Sequence, residues 1–314
     1  MVMGKPGLLL FTSIIDRMCE PIAERFDVLR LWKEAEPDAA IRERGGNVVA
    51  ILTTGQDRID AALMDRLPKL RLIVAVGAGY EGVEVSAAKR RGITVANAGD
   101  THSGDVADHA VALTLAVIQR IVPNDTWVRS GTWETKGYPP IRRALSAERF
   151  GILGLGRIGR AIANRLVPFG GEIGWWGPTD RPASWPRHES ALALATWCTT
   201  LIVAVRGDAV ALVDRGVIDA VGHDGCIINI ARGQVIDEDA LIAALRDGRL
   251  GGAGLDVFRA EPTPPGRWAD IPNVVLSPHV GGVTTEAMAR LRDTAVRNLR
   301  TALEGGAVVS EILS

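Results

Sequence analysis

The chain has 314 residues, 47% of them hydrophobic, which is enough for about two domains with a core in each. Its formal net charge of −1 excludes the strongly basic surface that nucleic acids or anionic membranes attract, so neither partner is expected. Three dispersed cysteines are too few for a disulfide framework or a zinc site, so we expect reduced thiols, no metal and a cytoplasmic location. The apolar run near the N-terminus is too short for a signal peptide, and no run approaches the ~20 residues of a membrane span.

Residues 1–98 alternate short apolar runs with amphipathic segments. The segments 16–25, 37–44, 57–67 and 83–91 predict helices, and the apolar runs between them predict strands. Strands that alternate with helices of this length pair in parallel and are covered on both faces. The pattern therefore predicts a doubly wound α/β sheet, with strands at 7–12, 27–32, 47–53, 71–76 and 92–97.

The middle of the chain departs from this alternation. Residues 106–122 predict one long helix, whereas residues 123–148 have paired prolines and little periodicity and predict an irregular arm. Aromatic residues on such an arm, Trp127, Trp133 and Tyr138, favour coverage by a partner subunit over a bare surface loop. We therefore expect a homodimer formed through this arm.

Strand and helix patterns resume at residue 149 and continue to the end of the chain. They predict a second doubly wound unit, followed by a last helix at 285–305 that we expect to return to the first domain. The other helices are predicted at 157–166 and 237–248. The strands are predicted at 149–156, 172–176, 199–205, 226–231, 252–258 and 273–279.

The motif GLGRIG lies between a buried strand and a helix, which is the context that a dinucleotide-binding loop requires. Gly154 permits the tight turn, Gly156 lets the backbone approach a pyrophosphate, and Gly159 lets the helix pack against the strand. The N–H groups of Arg157 and Ile158 would face the phosphate at the positive end of the helix dipole. A merely structural turn is the alternative, and this context disfavours it.

Three further residues, Arg232, Glu261 and His279, each follow a predicted strand and so belong to the carboxyl edge of the sheet. The planar donor fork of Arg232 is suited to holding a carboxylate and polarising a carbonyl. Glu261 beside His279 would favour the protonated imidazole and fix its tautomer, which makes a general acid. Taken singly, these residues have other interpretations: a capping arginine, a solvated acid and a buried core histidine. Together they predict a catalytic site.

Six stretches together resemble the D-isomer-specific 2-hydroxyacid dehydrogenases over essentially the whole chain, and within that family the glyoxylate and hydroxypyruvate reductases. The stretches are VGAGYEGVEV, DVADHAVALTLA, GILGLGRIG, NIARGQVIDEDAL, GAGLDVFRAEP and SPHVGG. The resemblance implies an α/β protein of two doubly wound parallel-sheet domains with the active site in the cleft between them. The implied domains are a flavodoxin-like substrate domain, 1–98 completed by 285–314, and a Rossmann cofactor domain, 99–284, whose 123–148 arm forms the dimer.

The resemblance also implies a role for each matching residue in reducing a small 2-oxo acid to the D-2-hydroxy acid. Arg232 matches the arginine that binds the substrate, Glu261 the acid that pairs with the histidine, and His279 the proton donor. Ala78 and Gly79 match the loop whose backbone N–H groups receive the substrate carboxylate. The implied cofactor contacts beyond the glycine loop are Ser103, Ala231, Asp256, which matches the acid that holds the nicotinamide carboxamide, and His279.

The stretch GWWGPTD bears on the choice of cofactor. Gly177 stands where an NAD-selecting unit places an acid that binds the adenosine ribose and repels a 2′-phosphate. Thr179, Arg181 and Arg206, the last after the neighbouring strand, would supply a hydroxyl and two guanidinium groups for that phosphate. NADP(H) is therefore favoured over NAD(H). The alternative is an indifferent site with solvated arginines, which Asp180 supports.

Other functions within and beyond the family remain open at this point. A phosphoglycerate or D-lactate type of dehydrogenase keeps the same chemistry, whereas formate dehydrogenases lack a glutamate partner for the histidine. A regulatory protein that binds the dinucleotide without turnover is disfavoured by the complete set of Arg232, Glu261 and His279. Departures from the family's usual pattern at His102, Gly104 and Arg206, where a proline is usual, leave the identity of the 2-oxo acid and the choice of cofactor open.

Overall fold

The computed structural model describes residues 4–312, which divide into two units. The first unit comprises the described residues up to His102 and those from Thr284 onward, and the second is Ser103–Val283. The sequence predicts domain boundaries after residues 98 and 284. Residues 1–3 and 313–314, which belong to the predicted substrate domain, lie outside the described residues. The substrate and cofactor roles of the two units stay predictions.

The first unit contains a five-stranded parallel sheet. Its strand order is β2-β1-β3-β4-β5, which is the order of flavodoxin-like folds. Each observed strand lies inside its predicted run, and the last two residues of the second predicted run, Leu31 and Trp32, belong to a 3-10 helix. The strands are β1 Gly7–Leu10, β2 Asp27–Arg30, β3 Val48–Thr53, β4 Leu72–Ala75 and β5 Thr94–Ala96.

Successive residues of β1 point to opposite faces of the first sheet, as the two-residue period of a strand requires. Leu8 and Leu10 are fully buried in the cluster that contains α1 and α12, whereas Leu9 packs on the other face with α2, α3 and α4. Both faces are therefore covered by helices. The helices are α1 Asp16–Ala23, α2 Pro37–Arg44, α3 Ala61–Asp65, α4 Val85–Arg90 and α12 Thr285–Glu304.

The second unit contains a six-stranded parallel sheet with the order β11-β10-β9-β8-β6-β7. The order reverses between β6 and β8, and open α/β sheets bind ligands outside the carboxyl ends of their strands at such a point. The predicted fold of two doubly wound parallel sheets is confirmed. The strands are β6 Arg149–Leu153, β7 Glu172–Trp176, β8 Thr200–Val203, β9 Cys226–Asn229, β10 Gly252–Leu255 and β11 Val274–Leu276.

Helices cover both faces of the second sheet as well. Phe150 and Ile152 are buried against α5 and α8, whereas Leu153 and Leu201 are buried against α9, α10 and α11. The helices of this unit are α5 Ser103–Ile118, α6 Ile121–Arg129, α7 Thr132–Lys136, α8 Arg157–Leu166, α9 Ala191–Trp197, α10 Arg215–Val221 and α11 Glu238–Arg246.

The predicted single helix at 106–122 is wrong, because the chain forms α5 and α6 with a bend of 54° between them. Arg120 at the bend has a left-handed backbone with φ of 52°, which breaks the run of helical hydrogen bonds. A glycine in the sequence usually signals such a conformation, whereas an arginine does not signal it. The predicted irregular arm is also partly wrong, since α6 and α7 occupy much of it.

Helix α3 is shorter than the predicted helix at 57–67. The Asp60 side chain accepts the Leu63 N–H at 3.0 Å and so caps the helix after the first predicted turn. Pro68 disfavours a helical conformation for the residue before it, which brings the helix to an early end.

Residues 4–312 were predicted to contain neither a membrane-spanning segment nor a metal site, and the structure has two properties that concern these predictions. No single helix in this range is long and apolar enough to cross a membrane. Within the same range, only α5 and α6 taken together reach the required length and composition, and these two helices are bent relative to each other. In the same range, no group of three or more His, Cys, Asp or Glu side chains is arranged to hold a metal ion.

Burial raises the pKa of the Cys19 thiol to about 11 and of the Cys198 and Cys226 thiols to about 12, which disfavours thiolates.

Candidate active site

The glycine loop joins β6 to α8 and is shaped by close backbone approaches. Gly154 has φ of +102°, and a Cβ there would lie 2.8 Å from the backbone of Ala204. A Cβ on Gly159 would lie 1.9 Å from the carbonyl oxygen of Gly154. At Gly156, by contrast, a Cβ would meet nothing within 4 Å, and no side chain caps the helix that begins at Arg157. The loop and the first turn of α8 therefore fit the pyrophosphate of a dinucleotide.

The structure brings Glu261 and His279 together at the carboxyl edge of the same sheet. Oε2 of Glu261 lies 2.6 Å from Nδ1 of His279, and Oε1 accepts the N–H of Phe258 at 2.9 Å. An ionised carboxylate only accepts, so Nδ1 carries the hydrogen and Nε2 is the atom that remains for proton exchange. Burial raises the pKa of Glu261, but the bonds it accepts and the nearby charge of Arg232 outweigh burial and lower that pKa.

His279 has a left-handed backbone, with φ of 53°, that Asp256 stabilises. The carbonyl oxygen of Asp256 accepts the His279 N–H at 2.8 Å. Its carboxylate accepts the next two N–H groups, those of Val280 and Gly281, at 2.9 Å each. One residue at the end of β10 thus bonds to three consecutive N–H groups of the loop that carries His279.

The carboxylate of Asp256 has two more partners, Ser277 and His109. Oγ of Ser277 donates to Oδ1 at 2.6 Å, and Nε2 of His109 lies 2.8 Å from that hydroxyl and 3.2 Å from Oδ1. Asp256 is 2% exposed, and burial raises its pKa, but the hydrogen bonds outweigh burial and lower it. Sequence reasoning missed His109 and Ser277, although both lie in the stretches DVADHAVALTLA and SPHVGG. Assignment of Asp256 to the nicotinamide stays a prediction beside this observed role.

Arg232 follows β9, and the glycine after it determines where its loop lies. A Cβ on Gly233 would lie 1.9 Å from the carbonyl carbon of Phe258, so the two backbones are in direct contact. This contact places the Arg232 loop against the loop that leads to Glu261. Nη1 of Arg232 donates to the carbonyl oxygen of Ala231 at 2.8 Å, which ties the guanidinium to its own turn.

The remaining predicted cofactor residues lie at several places in the second unit. Ser103 is buried at the first position of α5, and Thr179 and Arg181 are exposed in the loop after β7. Arg206 is exposed and lies 3.4 Å from Asp208 in an ion pair. The expectation that Arg206 follows a neighbour of β7 is wrong, because β6 lies between β7 and β8 in the sheet. Strand neighbours cannot be read from chain order in a doubly wound sheet.

Sequence reasoning also missed Arg187 in the loop after β7. Its Nη2 donates to the carbonyl oxygen of Gly177 at 2.9 Å, and its guanidinium carbon lies 5.5 Å from the ring centroid of Trp175. No local pattern in the sequence signals this contact, because the arginine lies ten positions after Gly177 in the chain.

The predicted substrate-binding loop belongs to the first unit, where Ala78 and Gly79 follow β4. The carbonyl oxygen of Ala78 accepts from the Asn97 side chain at 2.8 Å. A Cβ on Gly55 would lie 2.0 Å from the carbonyl oxygen of Gly79, so these two glycines are in backbone contact. The loop is therefore held on both sides within its unit, and its role toward substrate stays a prediction.

Known proteins resemble this chain over nearly all of its length. Residues 111–281 match the family model of the D-isomer specific 2-hydroxyacid dehydrogenase NAD binding domain. A 2-ketogluconate reductase of Gluconobacter oxydans is 39% identical over 304 residues, which are 94% of this chain and 95% of the relative. A glyoxylate/hydroxypyruvate reductase A of Arabidopsis thaliana is 34% identical over 310 residues, 98% of this chain and 99% of the relative.

Among solved structures, the NADPH-dependent glyoxylate/hydroxypyruvate reductase of Sinorhizobium meliloti, in complex with NADP and malonate, superimposes with a TM-score of 0.89. It is 34% identical, and the match covers 98% of this chain and 97% of that one. Together with the glycine loop and the Glu261–His279 pair, these matches establish the family and confirm the resemblance seen in the sequence. The chain belongs to the D-isomer-specific 2-hydroxyacid dehydrogenases, a family of oxidoreductases.

Proposed function

We propose that the protein reduces a small 2-oxo acid of the glyoxylate or hydroxypyruvate type to the D-2-hydroxy acid, with NADPH favoured over NADH. The observation that carries this proposal is the 2.6 Å pair of Glu261 and His279, in the sheet whose glycine loop fits a dinucleotide. Relatives named as 2-ketogluconate and glyoxylate/hydroxypyruvate reductases support the same class of reaction.

The residues around the glycine loop would hold the cofactor. Backbone N–H groups at Arg157 and Ile158 would bind the pyrophosphate, with Gly154, Gly156 and Gly159 leaving it room. Ser103, Ala231 and Asp256 would lie toward the nicotinamide, as the family resemblance implies. The bound reduced nicotinamide supplies the hydride.

The chain's own side chains would handle the proton and the charge. His279 would deliver a proton from Nε2 to the carbonyl oxygen, because Nδ1 is engaged by Glu261. Glu261 would stabilise the protonated imidazole before that transfer. The guanidinium of Arg232 would hold the substrate carboxylate and stabilise the charge that develops on the oxygen. The backbone of Ala78 and Gly79 would supply further donors to that carboxylate.

The choice of NADPH rests on the end of β7. Gly177 offers no carboxylate to the adenosine ribose, so nothing at this position repels a 2′-phosphate. Thr179 and Arg181 are exposed in the same loop, where they are accessible to a ligand. The Sinorhizobium meliloti relative is NADPH-dependent, which supports the same preference.

A homodimer through residues 123–148 is the second part of the proposal. Tyr138 is 85% and Ile141 100% exposed, and Trp133 and Val128 are also exposed. Large apolar side chains grouped on one segment are costly in water and typical of a covered interface. Sedimentation velocity should give a dimer for the wild type and a monomer for the double variant Tyr138→Asp, Ile141→Asp. A wild-type monomer would contradict this part alone.

A substrate panel tests the enzymatic proposal. Glyoxylate, hydroxypyruvate, 2-ketogluconate, pyruvate and a phosphorylated hydroxyacid are assayed with NADPH and with NADH, and kcat/KM is compared. We expect the highest kcat/KM for a small 2-oxo acid with NADPH. A chain that binds the dinucleotide but turns over none of these acids would favour the regulatory alternative, and a preference for NADH would reject the cofactor choice.

A further inference from the structure

Arg187 is fixed beside β7 by main-chain hydrogen bonds. Trp175 and Arg187 form a parallel bridge, in which the Trp175 N–H donates to Pro186 O at 3.0 Å and the His188 N–H donates to Trp175 O at 2.8 Å. The chain leaves the sheet after β7, forms a loop, and returns to the outer edge of the same strand at Arg187. The position of this arginine is thus determined by the sheet and not by the loop.

The side chain of Arg187 extends from that edge toward the carboxyl end of β7. Its guanidinium carbon lies 5.5 Å from the ring centroid of the buried Trp175, and Nη2 donates to Gly177 O at 2.9 Å. Gly177 is next to the glycine loop, since a Cβ there would lie 3.8 Å from the Cα of Gly154 and 3.9 Å from the nitrogen of Leu155. The guanidinium is therefore bonded to the backbone of the residue that stands where an NAD-selecting unit places its ribose-binding acid.

The bonds already made leave Arg187 able to bind an anion. A guanidinium has five N–H donors in a planar fork, and the bond to Gly177 uses one of them. The Arg187 side chain is 37% exposed, so part of it is accessible to a ligand. Contact with the face of Trp175 and the bond to Gly177 restrict its rotamers before any ligand arrives, which lowers the entropic cost of binding.

Asp180 is the acid nearest to this cation, and it is poorly placed to neutralise it. Its Oδ1 lies 3.8 Å from Nε of Arg187, beyond hydrogen-bond distance, and accepts the N–H of Arg181 at 2.9 Å. The Asp180 side chain is 83% exposed, so solvent screens the attraction. An anionic ligand with good geometry would compete with Asp180 successfully.

We propose that Arg187 is the residue that binds the 2′-phosphate of NADP(H) in this protein. The inference rests on the proposed function and names the specificity-determining residue of its cofactor site. A phosphate monoester presents three acceptor oxygens, which match the donor fork of an arginine. Arg206 pairs with Asp208 and follows a strand that is not adjacent to β7, so it is the weaker choice.

Dissociation constants for NADPH and NADH, measured by fluorescence on the purified protein, test the assignment. Arg187→Ala should weaken NADPH by about ten to a hundredfold, the loss expected for a charge-assisted bond, and leave NADH within about twofold. Arg187→Lys should be intermediate, because it keeps the charge and loses the fork. Asp180→Asn should tighten NADPH only slightly, because the negative charge that it removes is already screened by solvent. Arg215→Ala, in an exposed ion pair on α10, controls for loss of one positive charge.

Three results would overturn the assignment. Equal weakening of NADPH and NADH by Arg187→Ala would make Arg187 a structural support of the loop. An unchanged NADPH/NADH ratio in Arg187→Ala, with a changed ratio in Arg181→Ala, would transfer the role to Arg181. Equal dissociation constants for NADPH and NADH in the wild type would mean that the protein has no cofactor preference, so Arg187 would have no such role. Glyoxylate and hydroxypyruvate turnover is measured in parallel, so that an active enzyme with an Arg187-independent ratio rejects this inference and not the proposed reaction.

Discussion

The backbone carbonyl of Asp256 accepts the N–H of His279 at 2.8 Å and so stabilises that histidine in a left-handed conformation. Non-glycine residues adopt this conformation at a cost, which the surrounding hydrogen bonds must offset. The side chain of Asp256 also accepts the N–H groups of the next two residues, Val280 and Gly281. His279, the general acid of the proposed reaction, is therefore positioned by the buried residue Asp256. These three hydrogen bonds reach the backbone of the His279 loop and not the imidazole.

Replacement of Asp256 by asparagine should reduce both stability and turnover. An amide places a donor among groups that all donate to the carboxylate, so at least one buried bond is lost, at about 1–3 kcal/mol of unfolding free energy. The loop that carries His279 then loses its fixed conformation, and kcat falls. Urea unfolding and steady-state kinetics measure the two effects. Asp247→Asn, on an exposed acid that pairs with Arg249, is the matched control.

The same variant should show how Asp256 contributes to stability as the pH changes. Because the pKa of Asp256 is lowered in the folded protein, its stabilisation is complete above the ordinary carboxyl pKa and is lost as pH falls through the folded pKa. The difference in unfolding free energy between wild type and Asp256→Asn should be constant from neutral pH down to about 4 and shrink below that. A difference that grows on acidification would contradict the ionised, hydrogen-bonded carboxylate.

His279→Ala should lower kcat by about 10² to 10⁴, which is the usual contribution of a positioned proton donor. Binding of NADPH should persist, because the glycine loop lies on other elements of the sheet. His223→Ala removes an exposed histidine that pairs with Asp224 and should leave both quantities unchanged. Turnover above about a tenth of wild type in His279→Ala would remove this residue from the mechanism.

Glu261→Gln should move the alkaline limb of kcat/KM for reduction to lower pH. Reduction requires a protonated imidazole, and the variant removes the anion that lies 2.6 Å from its Nδ1. The maximal rate at low pH should fall less than in His279→Ala, because the proton donor is still present. A full pH profile of kcat/KM measures this. An unshifted alkaline limb would show that Glu261 does not stabilise the protonated histidine.

Gly233→Ala should disrupt the contact between the Arg232 loop and the chain that leads to Glu261. The added Cβ would lie 1.9 Å from the carbonyl carbon of Phe258, so one backbone must move, at about 1–3 kcal/mol or more. Activity should fall steeply while NADPH binding persists. Gly266→Ala is the control, because a Cβ there meets nothing within 4 Å. Full activity in a stably folded Gly233→Ala would mean that Arg232 needs no such placement.

The sequence predicted the bounds of a helix correctly where a residue at the start of that helix marks its beginning. Helices α2 and α8 span the residues predicted for them, because Pro37 and the glycine loop mark where they begin. The pairing of Glu261 with His279 followed from parallel topology, which brings the ends of distant strands to one edge. These predictions needed only periodicity, turn chemistry and a family resemblance.

The unpredicted features depend on contacts between distant segments or on backbone conformations that leave no sign in the sequence. Arg120 bends the chain between α5 and α6 through a left-handed conformation that its residue type does not announce. The bond from Arg187 to Gly177 exists only because the loop after β7 returns to the strand it left. Likewise, His109 reaches Ser277 from a helix that packs on the sheet, and no spacing rule connects the two.

Helix α12 has a consequence for the order in which the chain is made. Leu8 and Leu10 emerge from the ribosome before the second unit, whereas Val296 and Leu299, which pack in the same cluster, emerge after it. The second unit has its complete sequence once residue 283 has been synthesised, whereas the first still lacks the helix that covers one face of its sheet. Domains generally fold as units during synthesis, the N-terminal one first. Here one unit is inserted within the other, so the second unit is complete first, and the part of the N-terminal sheet that α12 covers has no covering helix until α12 has been made.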